Sequence, residues 1–293
     1  MTRTITEILA CEKLPTSTVH QARLRIFQPT RRPALIEETL DTAFGRVRVK
    51  GRLGQQHADV LEAILLVGTN AAALDGGRIK LLVDPARVRR VANQNSGETL
   101  NRVRDDLMQA LVEIRDPPML GVEPGVGHLI DDIEFAVRAD GTRVTAVARR
   151  GPLRGAYERS LWRVDLGKTL CKLIAADLWL HRSPAEISRL RHGISQAVAR
   201  HVLSHREGWC DDWGADALIR AVAGDLPSQS LRDRRRELAA DADALARLGV
   251  RLKPGVEQKH ECVEQKHECV EQKHECVEQK HDSWSKSTIR LGL

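Results

Sequence analysis

Apolar residues recur with two different periods along the first half of the chain, and these periods predict both helices and strands. In Ala58–Val67 the apolar residues share one side of a period of about 3.6 residues, which predicts a helix. Val47–Arg52 and the apolar run Ile79–Val83 predict short strands. Pro85 then opens a short helix through Val91, because proline is favoured at the first helical position.

A longer amphipathic helix is predicted next. Asn95 is placed to cap it while Glu98 reaches back to the cap, and Pro117-Pro118 ends it. Its apolar stripe, spaced by three and four residues, consists of Leu100, Val103, Leu107, Leu111 and Ile114.

An Asp-Gly pair at residues 140 and 141 predicts a hairpin after this helix. The pair separates two runs of strand-forming residues, Ile130–Val137 and Arg143–Ala148. A helix, a strand, two helices and a hairpin follow one another in the order of a winged helix. We therefore expect the first half to have this fold.

The second half repeats a similar order. Leu161–Leu166 predicts a strand, and Ser183 with the following proline opens a long helix that should run to His205. A short helix over Ala215–Ala223, a turn at residues 224–227 and a long helix over Gln229–Leu248 follow. A short helix, a glycine-bearing turn and a longer basic helix indicate a helix-turn-helix.

The expected fold class is α+β, with two tandem winged-helix domains, a flexible N-terminal arm and a C-terminal repeat tail. The arm is 1–35, the first domain is 36–150 and the second, main DNA-reading domain is 151–254. The tail, 255–293, is expected to be disordered.

The last predicted helix carries the candidate DNA-binding residues. At about 100° per residue, Gln229, Arg232 and Arg236 lie opposite its apolar stripe, where a recognition helix reads bases. Ser228, Ser230, Arg234 and Arg235 are placed to hold phosphates. In the first half the corresponding candidates are Asn101 and Arg102. A solvated basic helix face is the alternative interpretation of the arginine cluster.

Charge favours a polyanionic partner. The chain has a net charge of +6; residues 256–282 contribute 4 − 8 = −4 and Lys286 with Arg290 contributes +2, so residues 1–255 carry +8. A basic body of this kind suits double-stranded DNA. Because no run of eighteen apolar residues and no secretion signal occur, we expect a cytoplasmic protein with reduced cysteines.

The tail consists of three copies of VEQKHEC and a truncated fourth, VEQKHD, from Val256 to Asp282. A coiled coil is disfavoured, because lysine would occupy a seam position and glutamates repel each other four residues apart. A metal site is disfavoured by the one-residue gap between His260 and Cys262. At the DNA level the unit is 7 × 3 = 21 base pairs, about two turns of B-DNA. The favoured hypothesis is that this DNA segment contains binding sites; a repeat expansion without function is the alternative.

The sequence does not indicate an enzyme, a cofactor or a metal centre. Gly167-Lys168-Thr169 lacks the earlier glycine of a phosphate-binding loop, where Trp162 stands instead. Tyr157 has no paired-histidine site beside it, as a nicking nucleophile would need. His201 and His205 are four residues apart but lack the glutamate of a zinc protease motif.

The chain resembles the replication initiators of iteron-bearing plasmids, of the IncP and IncQ broad-host-range type. The matching segments are Ser188–Glu207 and Leu226–Val250, with weaker matches at Gln55–Gly68 and Gly97–Ile114. The resemblance covers roughly residues 36–252 and is one of pattern, and the acidic tail departs from it.

The resemblance implies a protein that binds tandem direct repeats, opens a neighbouring AT-rich segment, and brings in the host replicative helicase together with host initiator proteins. It also implies autorepression and homodimers. The main alternative is a winged-helix transcriptional repressor, which would not need tandem repeats. A structural protein that self-associates through its tail is the third possibility.

Overall fold

The fold combines helices with small antiparallel sheets, which confirms the α+β class expected from the sequence. The computed structural model describes residues 3–11, 13–115, 124–149 and 156–253. The repeat tail, 255–293, and the helix-ending Pro117-Pro118 lie outside the described residues.

The helices of the described residues are α1 (Ile5–Leu9), α2 (Val19–Arg23), α3 (Gln55–Val67), α4 (Pro85–Val91), α5 (Gly97–Gln109), α6 (Lys168–Ala176), α7 (Pro184–Ile187), α8 (Gly193–Val202), α9 (Ala215–Ala223), α10 (Ser228–Ala240) and α11 (Ala242–Arg247). The strands are β1 (Ser17–Thr18), β2 (Ile36–Thr42), β3 (Gly45–Gly51), β4 (Thr69–Leu74), β5 (Arg78–Val83), β6 (Leu111–Arg115), β7 (Gly125–Gly127), β8 (Ile130–Phe135), β9 (Thr145–Arg149), β10 (Ala156–Ser160), β11 (Trp162–Leu166) and β12 (Trp179–Leu180).

Two four-stranded antiparallel sheets form the framework, in the orders β2-β3-β6-β7 and β4-β5-β11-β8. The strand at Leu161–Leu166, expected to open the second copy of the layout, is therefore β11 in the second sheet, between β5 and β8. Trp162, Val164 and Leu166 are buried in alternation, and this apolar face is covered when β11 joins the strands of the first half.

Two separate hydrophobic clusters form the interior of the described residues. The larger one extends from Ile8 to Ile174 and includes both sheets with α3, α5 and α6. The smaller one extends from Ile187 to Val250 and joins α8, α9, α10 and α11. The candidate helix-turn-helix of the second half lies in this smaller cluster.

The expectation of a flexible N-terminal arm is wrong for the residues that the structure describes. Ile8, Leu24 and Ile26 are at most 1% exposed and belong to the larger cluster. Gly193 at the start of α8 also packs tightly on this segment, because a Cβ there would lie 2.4 Å from the Cα of Thr30. These apolar residues lack a regular period, so the sequence pattern did not identify them as core.

The predicted helix through Ile114 ends earlier than expected. α5 stops at Gln109, Ala110 is already extended, and residues 111–115 form β6. Val112 pairs with Val49 of β3, so the backbone hydrogen bonds of the sheet replace the last predicted helical turn. The cap is also one residue later than predicted, since the Ser96 side chain accepts the Thr99 N–H at 3.1 Å.

The predicted hairpin around the Asp-Gly pair is short. Val137 and Arg143 form an isolated bridge, and Gly141 adopts a φ of 81°, as a tight turn requires. Beyond this point the strands separate: β8 pairs with β11, and β9 pairs with β10. The two predicted strands exist, but each has a different partner.

Both long helices predicted for the second half are interrupted, and one residue is involved in both breaks. The Asp241 carboxylate accepts the N–H groups of Arg191 and His192 at 3.3 and 3.0 Å, just before α8. Asp241 itself lies between α10 and α11. This buried side chain therefore links the turn before α8 to the break between α10 and α11.

Other predicted elements are confirmed. Ala58–Val67 lies within α3 and Ile79–Val83 within β5, while the helices predicted from Pro85 and from Ala215 are α4 and α9. The strand predicted at Val47–Arg52 is β3, shifted by one or two residues. Among the described residues, no helix has the length and apolar character needed to cross a membrane.

Candidate nucleic-acid interface

The candidate interface begins with two helices joined by a tight turn. α9 ends at Ala223, Gly224 adopts a φ of 75°, and α10 starts at Ser228 after Pro227. Leu218 and Leu238 hold the two helices together in the smaller hydrophobic cluster. The turn at residues 224–227 thus lies where the sequence predicted it, and one side of α10 stays exposed.

An arginine from the N-terminal segment holds this turn. Arg25 Nη2 donates a hydrogen bond to the Ala223 carbonyl oxygen at 3.1 Å, at the end of α9. A Cβ on Gly224 would lie 2.6 Å from that nitrogen, so glycine leaves the space that the guanidinium occupies. Sequence reasoning missed Arg25, because no local pattern connects it with a turn almost two hundred residues away.

The two arginines predicted to read bases are both exposed. Arg236 is 81% exposed in its side chain, with Asp233 Oδ1 3.7 Å from its Nη1. Arg232 is also exposed and makes no hydrogen bond or ion pair with any described residue. Both can therefore contact a ligand without first giving up a strong internal partner.

The other two arginines of α10 are engaged within the protein. Arg234 Nη1 donates to Glu237 Oε2 at 2.7 Å on the same helix. Arg235 pairs with Asp216 of α9 through two hydrogen bonds, which hold the pKa of that carboxyl below its usual range. A phosphate contact by either arginine would compete with these pairs.

The first turn of α10 presents exposed polar groups. Ser228 and Gln229 are exposed and Ser230 is partly so, and no side chain in the described part of the chain caps this helix end. The backbone N–H groups of a first helical turn lack partners inside the helix, so they suit a phosphate oxygen. Gln229 Nε2 lies 3.4 Å from Asp233 Oδ1, a weak contact that a base edge could replace.

The candidates of the first half occupy a less basic helix. Asn101 and Arg102 are exposed on α5, as predicted. The sequence of α5 contains two arginines and three acids, 2 − 3 = −1, whereas α10 contains four arginines and two acids, 4 − 2 = +2. The structure thus places the nine candidates on two helices of opposite net charge.

Packing and burial account for three of the residues considered for other chemistry. A Cβ on Gly167 would lie 2.2 Å from the His128 carbonyl oxygen, so close packing accounts for this glycine. Burial, together with nearby positive charge, lowers the pKa of His201 to about 3 and that of His205 to about 4. The described residues contain no group of three or more potential ligands able to hold a metal ion.

Comparison with known proteins did not assign the chain to a family. Neither the protein-family models, nor the curated proteins, nor the solved structures contain a match to it.

Proposed function

We propose that this protein is a plasmid replication initiator that binds tandem direct repeats, or iterons, in double-stranded DNA. The observation that carries the proposal is the exposed face of α10, where Arg232 and Arg236 follow a tight turn on a helix of net charge +2 (four arginines less two acids). Arginine side chains can donate two parallel hydrogen bonds to a guanine edge, and an exposed helix of this kind fits the major groove.

The proposed architecture is a pair of winged helices in tandem. Two pairs of consecutive helices support it, α4 with α5 in the larger cluster and α9 with α10 in the smaller one. In the first half, strands precede α4 and follow α5, and such strands can form a wing. The second helix pair is the weaker match, because from Pro184 to Lys253, where every residue is described, the only β-contact is an isolated bridge between Gly214 and Lys253 and no two-stranded wing is present.

The codon period of the tail supports direct repeats as the target. A spacing of 21 base pairs would present successive sites on one face of the duplex, since it equals about two helical turns. In this proposal the protein acts in the cytoplasm without catalysis, opens an AT-rich segment, and recruits the host helicase and initiator proteins. A homodimer would repress its own gene.

The first experiment measures the affinity of the full chain for a duplex that contains the 21-base-pair repeats, by fluorescence anisotropy at several salt concentrations. Arg232→Gln with Arg236→Gln should weaken binding by at least about tenfold, as expected for lost base contacts. The same double change should also reduce the preference over an unrelated duplex.

Arg206→Gln with Arg251→Gln is the matched control, because both residues are exposed and the loss of charge is the same. If the two double variants lose affinity equally, the α10 face is not the reading surface. A transcriptional repressor would share the α10 effect but would bind a single site with no preference for tandem copies.

A further inference from the structure

A second basic surface lies between residues 86 and 159, away from α10 along the chain. It is a groove of about 380 Å³ between α4, the turn that follows α4, and β10. Its polar lining consists mainly of Arg89, Arg90, Asn93, Asn95, Tyr157 and Arg159. No acidic side chain lines this groove among the described residues.

The arginines of the groove are of two kinds. The side chains of Arg89 and Arg90 are exposed at the end of α4 and form no hydrogen bond or ion pair with the described part of the chain. Arg159 is held in place, because its Nη2 donates to Asp84 Oδ2 at 2.6 Å. Asp84 also caps α4 by accepting the Ala86 N–H at 2.9 Å, so one carboxylate fixes both walls of the groove.

The backbone turn after α4 fixes the side of the groove that carries Asn93 and Asn95. Asn93 adopts a φ of 50°, in the left-handed region, and the Gln94 N–H donates to the Arg89 carbonyl oxygen at 2.9 Å. The Asn93 side chain donates to the Ser188 carbonyl oxygen at 3.3 Å. These contacts hold the turn in one conformation beside Arg89 and Arg90.

From this geometry we propose that the groove binds a phosphate group. Three guanidinium groups around a concave surface provide positive charge and several directed donors, and arginine is the side chain that best matches tetrahedral oxyanions. The carboxamide of Asn95 and the phenol of Tyr157 add donors that a simple electrostatic patch lacks. The phosphate can belong to a free phosphate compound or to a nucleic-acid backbone.

This inference does not depend on the function proposed for α10. All of the groove residues lie on α4, its following turn and β10, and none lies on α9 or α10. The affinity change caused by Arg232→Gln with Arg236→Gln therefore tests the α10 face, whereas substitutions at Arg89 and Arg90 test the groove.

The groove contains its own reporter, because Tyr157 is the only tyrosine of the chain. In the full-length protein with isotope-labelled tyrosine, the ring resonances therefore report on this site alone. Sodium pyrophosphate is titrated in one arm and a duplex of unrelated sequence in the other, at constant ionic strength. We expect a saturable shift of the Tyr157 resonances in at least one arm.

Arg89→Gln with Arg90→Gln should weaken that saturation by at least about fivefold, because two charge-assisted donors are lost. Arg206→Gln with Arg251→Gln, which removes the same charge elsewhere, should leave it unchanged. A shift in the pyrophosphate arm assigns free phosphate as the ligand, and a shift in the duplex arm alone assigns the nucleic-acid backbone. No saturable shift in either arm, or equal weakening in both double variants, would overturn the proposal.

Discussion

Arg200 of α8 donates a hydrogen bond from Nη2 to Asp59 Oδ1 of α3 at 2.6 Å, and both side chains are at most 5% exposed. Its Nε also donates to Glu62 Oε1 at 3.2 Å, and Arg182 donates to the same oxygen at 2.8 Å. The two arginines hold the pKa of Glu62 below its usual range, despite its burial. Because α3 and α8 belong to different hydrophobic clusters, this buried network ties the two clusters together.

Removal of the central guanidinium should strongly destabilise the fold. Arg200→Met keeps much of the side-chain volume but leaves the Asp59 carboxyl buried without an ionic partner, which we expect to cost about 3–5 kcal/mol of the free energy of unfolding. Urea unfolding measures this change. The exposed Arg206→Gln should stay within about 0.5 kcal/mol of the parent protein. A loss below about 1 kcal/mol for Arg200→Met would contradict a structural role for the network.

Gly193 and Gly97 are each the first residue of a helix, and alanine substitution should affect protein stability differently at the two positions. Gly193→Ala places a Cβ 2.4 Å from the Thr30 Cα, so the backbone must shift at a cost of about 1–3 kcal/mol. Gly97→Ala meets no atom of the residues that the structure describes within 4 Å and should be neutral or stabilise by up to about 1 kcal/mol. Thermal and urea unfolding of both variants check the pair. Equal effects would mean that residues near Thr30 do not pack on α8.

Acid should destabilise the protein through its buried histidines. Both ring nitrogens of His201 are buried with no hydrogen-bond partner among the described residues, and its ring faces Phe44 and Trp213. Burial first, then the charges of His205 and Arg23, lower the pKa of His201 to about 3. In the unfolded chain the pKa of a histidine is about 6.5. Between the native and the unfolded pKa, the unfolded state therefore binds more protons at His201 than the native state does.

The free energy of unfolding should therefore fall as the pH drops from about 6.5 to 4, and each buried histidine adds at most about 1.4 kcal/mol per pH unit. His201→Phe keeps an aromatic ring but removes one titration, so urea unfolding at several pH values should show a shallower slope. Burial raises the pKa of Asp59 to about 6, so its titration changes the free energy of unfolding with the opposite sign. This contribution is the same in the parent protein and in the variant, and it cancels when their slopes are compared. Identical slopes would show that His201 gains a proton in the native state.

Loss of the ion pair between Asp216 and Arg235 should strengthen the proposed DNA binding. Asp216→Asn removes the carboxylate that pairs with Arg235 and raises the positive charge beside α10. We expect an affinity gain of about two- to fivefold at low salt, with a stability loss of at most about 1 kcal/mol. Asp243→Asn, an exposed residue on α11, changes the net charge equally. The same gain in this control would show that Arg235 has no specific part in the effect.

The local elements of the fold were largely predictable, because their signals are short in range. Pro85 marks the start of α4, and the apolar side of residues 58–67 marks α3. The failures involve partners that lie far away in sequence. The turn at residues 188–192 depends on the Asp241 carboxylate, and the end of α5 depends on β3, so a period of apolar residues could not indicate either.

The buried ion network was hidden for a similar reason. Asp59 and Glu62 lie on α3, a helix that is buried on nearly every side, so polar residues on it resemble a solvent face when only the pattern is considered. For the candidate interface, the order of α9, turn and α10 and the exposure of Arg232 and Arg236 agree with the sequence. The pairing of Arg235 with Asp216 depends on the packing of the two helices and could not be foreseen.

Footprinting of the full chain on the DNA segment that encodes Val256–Asp282 tests most directly whether the α10 face recognises tandem repeats. Recognition of the repeats by this face predicts protection at intervals of 21 base pairs, the length of seven codons, which is lost on a synonymously recoded segment and weakened by Arg232→Gln with Arg236→Gln. Equal, unspaced protection of the original and recoded segments would contradict it.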